Sequence, residues 1–494
     1  MTSARSRLFN LARFFAASPL VFALWLTTPS SAQTFTNLLS FDVSDGASPW
    51  NAPLVQGLDG NLYGTTSAGG IVTSICGGSG SCGTVFKITP SGTLTTLYKF
   101  CSQPNCTDGI SPNAGLVLAT NGKFYGTTVG GGTDGTVFEI TAGGKFTTLH
   151  SFDGTDGSGP YGTLVQATDG DFYGITMDGG ANNAGTVFKI TPAGTVTTLY
   201  SFCAQSNCAD GQLPFAGLIQ ATDGNLYGTT DIGGISGNGT VFKITPQGAL
   251  TTLHRFTFTD GSQPSGGLVQ GTDGNLYGMT ESGGANVYGT VFKITPTGTL
   301  TTLYSFCTES NCTDGSLPQY TGLVQATDGN FYGITADGGA NSSCGSFSSG
   351  CGTIFSITSS GTLTTLHSFD GTDGEYPFSG LVQATNGNFY GTTLGNIFSN
   401  TCSGGCGTVF SLSVGLGPFV ETLPTSGKVG TTIKILGNKL TGASNVSFNG
   451  TSATFSVISS TYIKTTVPTG ATTGFVTVTT PNGTLKSNKF RVTP

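Results

Sequence analysis

A seven-residue phrase, GTVFKIT, stands at positions 83–89 and returns in six further versions along the chain. The other copies begin at Gly135, Gly185, Gly239, Gly289, Gly352 and Gly407. Repetition at this spacing predicts an array of similar structural units. Each unit in such an array buries its apolar face against its neighbours rather than within itself.

One full period, 267–306, contains four short segments rich in β-branched and aromatic residues, and we name them A to D. They read GLVQ (A), NLYGMT (B), GTVFKIT (C) and TLTTLYSF (D). Asp-Gly between A and B predicts a tight hairpin turn, because these residues tolerate the positive φ that a type I′ turn needs. Four antiparallel strands per unit of ~40–50 residues are typical of a β-propeller blade.

The B-segment tyrosines mark seven units and are spaced 48 to 62 residues apart: Tyr63, Tyr125, Tyr173, Tyr227, Tyr277, Tyr332 and Tyr390. The sequence therefore predicts an all-β fold with a seven-bladed β-propeller. Its first D segment, TFTNLLSF at 34–41, precedes every A segment, and no D segment follows the last C segment. We expect this N-terminal strand to pair with residues 408–414 and close the ring, which would remove two exposed sheet edges.

The phrases GLVQxTDGNLYGTT and GTVFKITPxGTLTTLYSF resemble the GloVer tandem repeat over residues 34–414. That resemblance implies a secreted bacterial repeat protein without a defined activity. From 418 to 494 the sequence resembles an IPT/TIG domain, a small immunoglobulin-like β-sandwich that usually serves adhesion or spacing. The matching features are Pro424, Gly427, Gly430, Gly437, the VSFNG phrase at 446–450, Val467-Pro468 and Phe490. The predicted domains are a signal peptide at 1–32, the propeller at 33–415 and the sandwich at 418–494.

The N-terminus has the pattern of a secretory signal. Arg5, Arg7 and Arg13 precede an apolar stretch at 14–26, and small residues lead to a cleavage site after Ala32. The apolar stretch is shorter than the ~20 residues that a membrane-spanning helix needs. We therefore expect a mature chain without a transmembrane segment, located outside the cell or at its surface.

Twelve cysteines fall in close pairs, which favours local disulfides in an oxidising compartment. Zinc is the alternative, but it would call for CxxC knuckles or nearby histidines. The pairs are Cys76/Cys82, Cys101/Cys106, Cys203/Cys208, Cys307/Cys312, Cys344/Cys351 and Cys402/Cys406.

Charge divides the chain in two. The segment from Pro418 has seven basic residues against Glu421 alone, whereas residues 33–417 have eight basic and twenty-four acidic residues. A net-acidic repeat region argues against nucleic acid as a partner, because nucleic-acid binding requires clustered Lys and Arg.

Three recurring polar positions are interpreted as structural. His150, His254 and His367 occupy a D-segment position that is Tyr elsewhere, so catalysis is not expected there. An Asp-Gly-x-x-Pro motif precedes each A segment and fits turn chemistry. Gln recurs at the end of segment A, where it is expected to satisfy polar groups near the channel or to line a ligand pore. No metal or other cofactor is predicted; the phrase FDGTDG, at 152–157 and 369–374, offers calcium as a weak alternative.

Length varies only in the D–A and B–C loops, which lie at the same end of an antiparallel four-stranded unit and contain every cysteine pair. Variation concentrated at one end marks the candidate binding face of a repeat protein. Trp50 is a further loop aromatic that would stack on sugar rings. The predicted binding residues are Asp178, Asp231, Glu281, Asp337, Tyr288, Tyr320 and Phe347.

The leading hypothesis is an exported, non-enzymatic binding or adhesion protein that presents this face to a glycan or a surface protein. The first alternative is an extracellular polysaccharide lyase or hydrolase, with Asp231 and Glu281 as the pair of carboxyl groups that such chemistry requires. A structural envelope protein is the second alternative.

Overall fold

A computed structural model describes residues 33–79, 81–341, 344, 350–395 and 406–494. The predicted signal peptide lies outside these residues. The described chain forms seven four-stranded antiparallel sheets, followed by a separate C-terminal β domain. Each sheet has the order A-B-C-D, and we number the repeats 1 to 7 by their A strands.

The strands of the seven sheets recur at equivalent positions. The A strands are Val55–Gln56, Val117–Leu118, Val165–Gln166, Ile219–Gln220, Val269–Gln270, Val324–Gln325 and Val382–Gln383. The B strands are Leu62–Thr66, Phe124–Thr128, Phe172–Thr176, Leu226–Thr230, Leu276–Thr280, Phe331–Thr335 and Phe389–Thr393. The C strands are Thr84–Ile88, Thr136–Ile140, Thr186–Ile190, Thr240–Ile244, Thr290–Ile294, Thr353–Ile357 and Thr408–Ser413. The D strands are Thr34–Ser40, Leu94–Lys99, Phe146–Ser151, Val196–Ser201, Leu250–Arg255, Leu300–Ser305 and Leu363–Ser368. Short 3-10 turns occupy Ser74–Ser79, Pro104–Cys106, Ser206–Cys208 and Ser310–Cys312.

The N-terminal strand supplies the D strand of repeat 7. It pairs antiparallel with the last C strand, from Thr34 opposite Ser413 to Ser40 opposite Thr408. The Phe41 amide then donates to the Gly407 carbonyl at 3.0 Å. The predicted pairing of this strand with residues 408–414 is therefore confirmed.

Apolar cores form between successive sheets rather than within them. Each of seven buried clusters joins two consecutive repeats, and one of them joins repeat 7 with repeat 1 through Tyr390 and Leu62. The B-strand tyrosine stacks on a phenylalanine of the next sheet where one is present, as Tyr63 does on Phe124 at 4.1 Å between ring centroids. Burying a large side chain in this way contributes about 1.5–3 kcal/mol.

The glycine after each B-strand tyrosine is explained by this packing. A Cβ at Gly228 would lie 2.7 Å from both Leu218 Cδ2 and Phe242 Cζ. The equivalent glycine of each of the other six repeats would place a Cβ 2.5 to 2.7 Å from the C-strand phenylalanine of its own sheet. The Tyr-Gly pair therefore recurs because the C-strand ring occupies the space of a side chain.

Glutamines at the ends of the A strands link neighbouring repeats. Gln220 Oε1 accepts the Thr168 amide of the preceding repeat at 2.9 Å, and its Nε2 donates to Gly224 O in its own A–B turn. Equivalent acceptor bonds are made by Gln166, Gln270, Gln325, Gln383 and Gln56. The Gln56 bond joins repeat 1 to Thr385 of repeat 7 at 2.9 Å. The structural interpretation of these amides is confirmed.

Repeat 2 has Leu118 in place of glutamine, and the C-terminal domain explains this exception. Leu118 is buried in a cluster that contains Leu436 of that domain, with Leu58 and Leu423 packed against it. The one junction without the amide is thus the junction where an apolar contact holds the two domains together.

The C-terminal domain consists of a four-stranded and a five-stranded sheet that enclose an apolar core. Its strands are Glu421–Leu423, Ser426–Gly427, Thr432–Leu436, Asn445–Phe448, Thr451–Ser452, Phe455–Ser459, Tyr462–Thr466, Gly474–Thr480 and Gly483–Val492. The domain covers the A–B turns: Thr461 Oγ1 donates to Leu58 O at 2.8 Å, and Arg491 donates to Thr222 O. It therefore lies at the end opposite the D–A and B–C loops. Within the described residues, no helix is long and apolar enough to cross a bilayer.

Candidate binding face

The D–A and B–C loops are tied together in each of the first six repeats. Isolated antiparallel bridges join the two loops, for example between Ser158 and Asp178 and between Gln212 and Ile232. The loop end is consequently held by backbone hydrogen bonds, and its side chains are presented from fixed positions.

Disulfides reinforce the same loops. The predicted pairs Cys76–Cys82, Cys101–Cys106, Cys203–Cys208, Cys307–Cys312 and Cys344–Cys351 are all bonded. Cys406 is also disulfide-bonded, whereas Cys402 lies outside the described residues. None of the described cysteines is free. Closing so short a loop restricts the unfolded chain by about 2 kcal/mol per bridge in the entropic model.

The Asp of each Asp-Gly-x-x-Pro motif holds its own loop. Asp210 accepts the Ala204 amide at 2.9 Å, the Gln205 amide at 3.1 Å and the Tyr200 hydroxyl at 2.8 Å. Where the D strand has histidine, the ring takes the place of the tyrosine, as in His254 Nε2 to Asp260 at 2.9 Å. Tyrosine and histidine thus make the same bond to the motif aspartate, which supports the structural interpretation of these histidines. In the FDGTDG phrases, Asp153 and Asp370 accept hydrogen bonds from within their own turns.

An aromatic cluster lies at the centre of the loop end. It is built from the residue directly after the motif proline in four repeats, Trp50, Tyr161, Phe215 and Phe378, and from Tyr320, the second residue after the proline in repeat 6. Ring centroids are separated by 4.6 Å for Tyr161–Phe215, 4.7 Å for Phe215–Tyr320, 5.8 Å for Trp50–Tyr320 and 5.6 Å for Trp50–Phe378. All five rings are half-buried, so part of each remains open to solvent.

Two polar atoms among these residues are buried without a partner in the described structure. They are the Trp50 indole Nε1, a donor, and Asn113 Oδ1, an acceptor. Asn113 occupies in repeat 2 the position that carries an aromatic ring in its neighbours. Unsatisfied buried groups of this kind are rare and call for a partner such as water or a ligand.

Below the cluster is a cavity of about 290 Å³ between the A strands. Tyr320 lies at the loop-end side of this cavity. The cavity is also lined by leucines that directly precede the A strands: Leu164, Leu218, Leu268, Leu323 and Leu381. The opening to this cavity is therefore aromatic at the loop end and aliphatic below.

Asp231 and Glu281 occupy equivalent positions in repeats 4 and 5. Each lies one residue after the last B-strand threonine, and each backbone amide donates to the preceding D–A loop. Burial raises the pKa of Asp231 to about 6. Burial and then the charge of Asp231 raise the pKa of Glu281 to about 7, although the Gln319 amide donates to Glu281 at 2.6 Å. Tyr320 lies beside this pair: burial and then the charges of Glu281 and Asp231 raise its pKa to about 12.

Asp178 and Asp337 are one residue further along their loops than Asp231 and Glu281. Asp178 lies beside Tyr161, whose pKa is raised by burial and then by the Asp178 charge, and burial raises the pKa of Asp178 itself. The four carboxylates treated together in the sequence analysis thus belong to two different positions. Asp231 and Glu281 lie together, and Asp178 joins the aromatic cluster through Tyr161.

Of the predicted residues, Tyr288 lies apart from the cluster. Tyr288 is exposed and has no ring contact with the aromatic cluster within the described structure. Asp337 lies at the repeat 6 bridge with Ser316, and Phe347 lies outside the described residues. Sequence reasoning missed Tyr161, Phe215, Phe378 and Asn113. Their signal was present in the motif itself, because the position after the proline is aromatic in several repeats.

The fold and this face define a class: an all-β tandem-repeat protein with variable, disulfide-stapled loops at one end and an immunoglobulin-like domain at the other. The model of the Gloeobacter/Verrucomicrobia repeat matches residues 21–222, 134–347 and 222–454, and the IPT/TIG model matches 419–493. The chain belongs to the Gloeobacter/Verrucomicrobia repeat family. No curated protein matches it.

Among solved structures, a fungal alcohol oxidase of the AA5 family in complex with copper has a TM-score of 0.53 at 13% identity, covering 93% of this chain and 99% of that chain. The extracellular domain of BT4673 from B. thetaiotaomicron has a TM-score of 0.49 at 11% identity, covering 92% and 58%. At such identities the likeness to the oxidase concerns the fold alone.

Within the part of the chain that the structure describes, the histidines and cysteines do not form a copper centre. Copper sites in proteins are built mainly from imidazole and thiolate ligands. The three histidines lie on D strands and are bonded to aspartates. The one close group of three ligating side chains in the described residues is Cys76, Cys101 and Cys106, all of them in disulfides.

Proposed function

We propose that the seven sheets form a closed seven-bladed β-propeller. Three observations support the closed ring: the N-terminal strand completes the sheet of repeat 7, an apolar cluster joins repeats 7 and 1, and Gln56 bonds to Thr385. A radial assembly of small sheets leaves only short, protected edges. The D–A and B–C loops then surround one mouth of the channel, and the C-terminal domain covers the other.

We further propose that the protein is exported and binds a glycan, without catalysis, at the loop-end mouth. The observation that carries this proposal is the half-buried aromatic cluster beside the carboxyl groups of Asp178, Asp231 and Glu281. Aromatic faces offer flat apolar surface to the C–H faces of sugar rings. Carboxyl and amide oxygens accept hydrogen bonds from sugar hydroxyls.

The geometry suits an open-ended ligand better than a small enclosed one. The rings extend from repeat 3 across repeats 4 and 6 to repeats 7 and 1, so a ligand would contact several of them in succession. The unpartnered Trp50 indole N–H would donate a hydrogen bond to a sugar hydroxyl oxygen, and the unpartnered Asn113 Oδ1 would accept one from a hydroxyl. Pockets with predominantly apolar walls and a few placed polar groups are typical of ligand sites.

A glycan array probed with residues 33–494 tests the proposal, followed by affinity measurement for any glycan bound. Tyr320→Ala removes the ring that contacts three others, so we expect at least tenfold weaker binding. Tyr288→Ala is the matched control, because Tyr288 is an exposed tyrosine of the same loop end with no contact to the cluster. Equal affinity of Tyr320→Ala and the unaltered protein, or no glycan bound at all, would contradict glycan binding at this mouth.

A second candidate function is glycan cleavage, which the Asp231–Glu281 pair favours. Glycoside hydrolysis uses two carboxyl groups, one of which is protonated near neutral pH. The raised pKa of Glu281, at about 7, suits a general acid, and Asp231 would be the ionised partner. Product release from purified polysaccharides, lost in Glu281→Gln and Asp231→Asn but kept in Tyr288→Ala, would establish cleavage. No release from any polysaccharide that the protein binds would leave binding as the function.

A further inference from the structure

The opposite end of the channel holds one carboxyl group in neutral surroundings. A cavity of about 250 Å³ lies between the A strands of repeats 1, 2, 3 and 7 and the C-terminal domain. Glu421 is the sole acidic residue after position 418, and its side chain lines this cavity. Glu421 keeps an exposed surface, and desolvation by the protein around it raises its pKa.

The other lining groups offer Glu421 no opposite charge. Most are apolar: Val55, Leu116, Val117, Leu118, Leu164, Val382, Leu423 and Leu436. Gln56 already donates to Gly60 O and accepts from Thr385 N, and Thr163 Oγ1 accepts the Gly115 amide at 3.1 Å. Lys434, on the strand that pairs with Glu421–Leu423, has a pKa lowered by burial and then by Lys464, without a contribution from Glu421.

A cation that pairs with a carboxyl group whose pKa is raised by desolvation stabilises its ionised form. The cavity has too few oxygen ligands for a hard metal ion, which takes six or more. Its apolar walls instead suit an alkyl chain, and its volume is below the roughly 300–1,000 Å³ of drug-sized sites. A short alkyl group bearing a primary ammonium satisfies both the walls and the carboxylate.

We infer that this cavity is a second ligand site, which binds a small alkylammonium compound with its ammonium group on Glu421. Access leads along the edge of the C-terminal domain: a neighbouring cavity of about 220 Å³ shares Val117, Leu118 and Leu423 with the first and reaches the exposed Thr425. This site is independent of the loop-end mouth, because the two lie at opposite ends of the channel.

Calorimetric titration of residues 33–494 with hexylamine, which is an ammonium ion at pH 8, tests the inference. We expect saturable one-to-one binding that is at least tenfold weaker for Glu421→Gln, since the amide cannot pair with the ammonium. Hexanol, of equal chain length but neutral, is expected to bind at least tenfold more weakly to the unaltered protein. Glu375→Gln is the matched control: Glu375 is a buried acid of the loop end and should leave the affinity unchanged.

Two results would overturn the inference. One is the absence of saturable hexylamine binding to the unaltered protein, and the other is equal affinity of Glu421→Gln. Thermal unfolding of both variants, measured alongside, establishes that each is folded. Loss of glycan binding at the other end would not affect this titration, so the two proposals fail separately.

Discussion

The two ends of the repeat region are built from the same seven units but differ in how strictly residues recur. At the A–B turn end, glutamine occupies the same position in six of seven repeats and makes the same inter-repeat bond each time. At the loop end, the position after the motif proline is Trp, Asn, Tyr, Phe, Ser, Gln or Phe. Recurrent side chains hold the sheets together, and the varied ones form the candidate binding site.

The ends also differ in charge and in what covers them. The turn end meets a C-terminal domain that has one acidic and seven basic residues. Two of the basic residues, Arg491 and Lys434, lie near the A–B turns. The loop end buries carboxyl groups whose pKa values are raised, which is unfavourable for stability at neutral pH. Residues that reduce stability are tolerated where they serve binding or chemistry.

The largest loss of stability is expected from deleting the N-terminal strand, which completes the sheet of repeat 7. Deleting residues 34–41 exposes the last C strand and removes Phe41 from the apolar cluster that joins repeats 7 and 1. Loss of a buried phenylalanine alone costs about 3–5 kcal/mol. We expect this deletion to lower the free energy of unfolding far more than removal of residues 418–494 does, as measured by denaturant unfolding. Equal losses from the two deletions would disprove a closed ring that depends on this strand.

A smaller effect is expected from the loop-end carboxyl groups, and it depends on pH. Because the pKa of Glu281 is raised to about 7 in the folded protein, its protonated form is favoured there. Stability is therefore greatest below the ordinary glutamate pKa and falls as pH rises through 7. The neutral amide of Glu281→Gln does not lose stability as pH rises. Between pH 5 and pH 8 the free energy of unfolding of this variant should therefore rise by about 2 kcal/mol relative to the unaltered protein, after allowance for solvent screening.

Chemical denaturation at several pH values measures this difference. Glu309→Gln is the control, because Glu309 is an exposed acid of the same loop end. A Glu281→Gln profile parallel to that of the unaltered protein would show that the carboxyl group is not destabilising.

The turn end is tested by exchanging its recurrent residue for its one exception. Gln220→Leu removes the bond to the Thr168 amide, and we expect a loss of about 1 kcal/mol in unfolding free energy. Leu118→Gln places an amide against Leu436 and should weaken the attachment of the C-terminal domain, which limited proteolysis would detect. If both variants behave like the unaltered protein, these residues do not hold the turn end.

The smallest effect is expected at the D strands. His254→Tyr should change stability by less than about 0.5 kcal/mol, because a tyrosine hydroxyl bonds the equivalent aspartate in the neighbouring repeats. His254→Phe keeps the ring but leaves Asp260 without that partner, and it should cost about 1 kcal/mol. Equal stability of the Phe and Tyr variants would show that the hydrogen bond contributes nothing.

Much of this architecture could be predicted from local patterns. The Asp-Gly turns, the alternation of apolar and polar residues and the D-segment count led to the strands and to the N-terminal pairing. The loop-end site was predicted only in part. Asp231 and Glu281 were named from their loop positions, yet nothing in the sequence distinguished them from Asp178 and Asp337, which lie one residue later.

The sequence by itself determined the repeating unit. The alternation of apolar and polar residues, the turn residues and the cysteine spacing each act over a few residues, and these local patterns recur along the repeats. Only the tertiary structure decided which varied residues meet. Trp50 and Tyr320 are 270 positions apart in the chain, and their ring centroids lie 5.8 Å apart. Likewise Glu421 lines a cavity beside the A strands only because the C-terminal domain packs on the turn end through Leu436. Such contacts depend on packing between units, which no local pattern encodes.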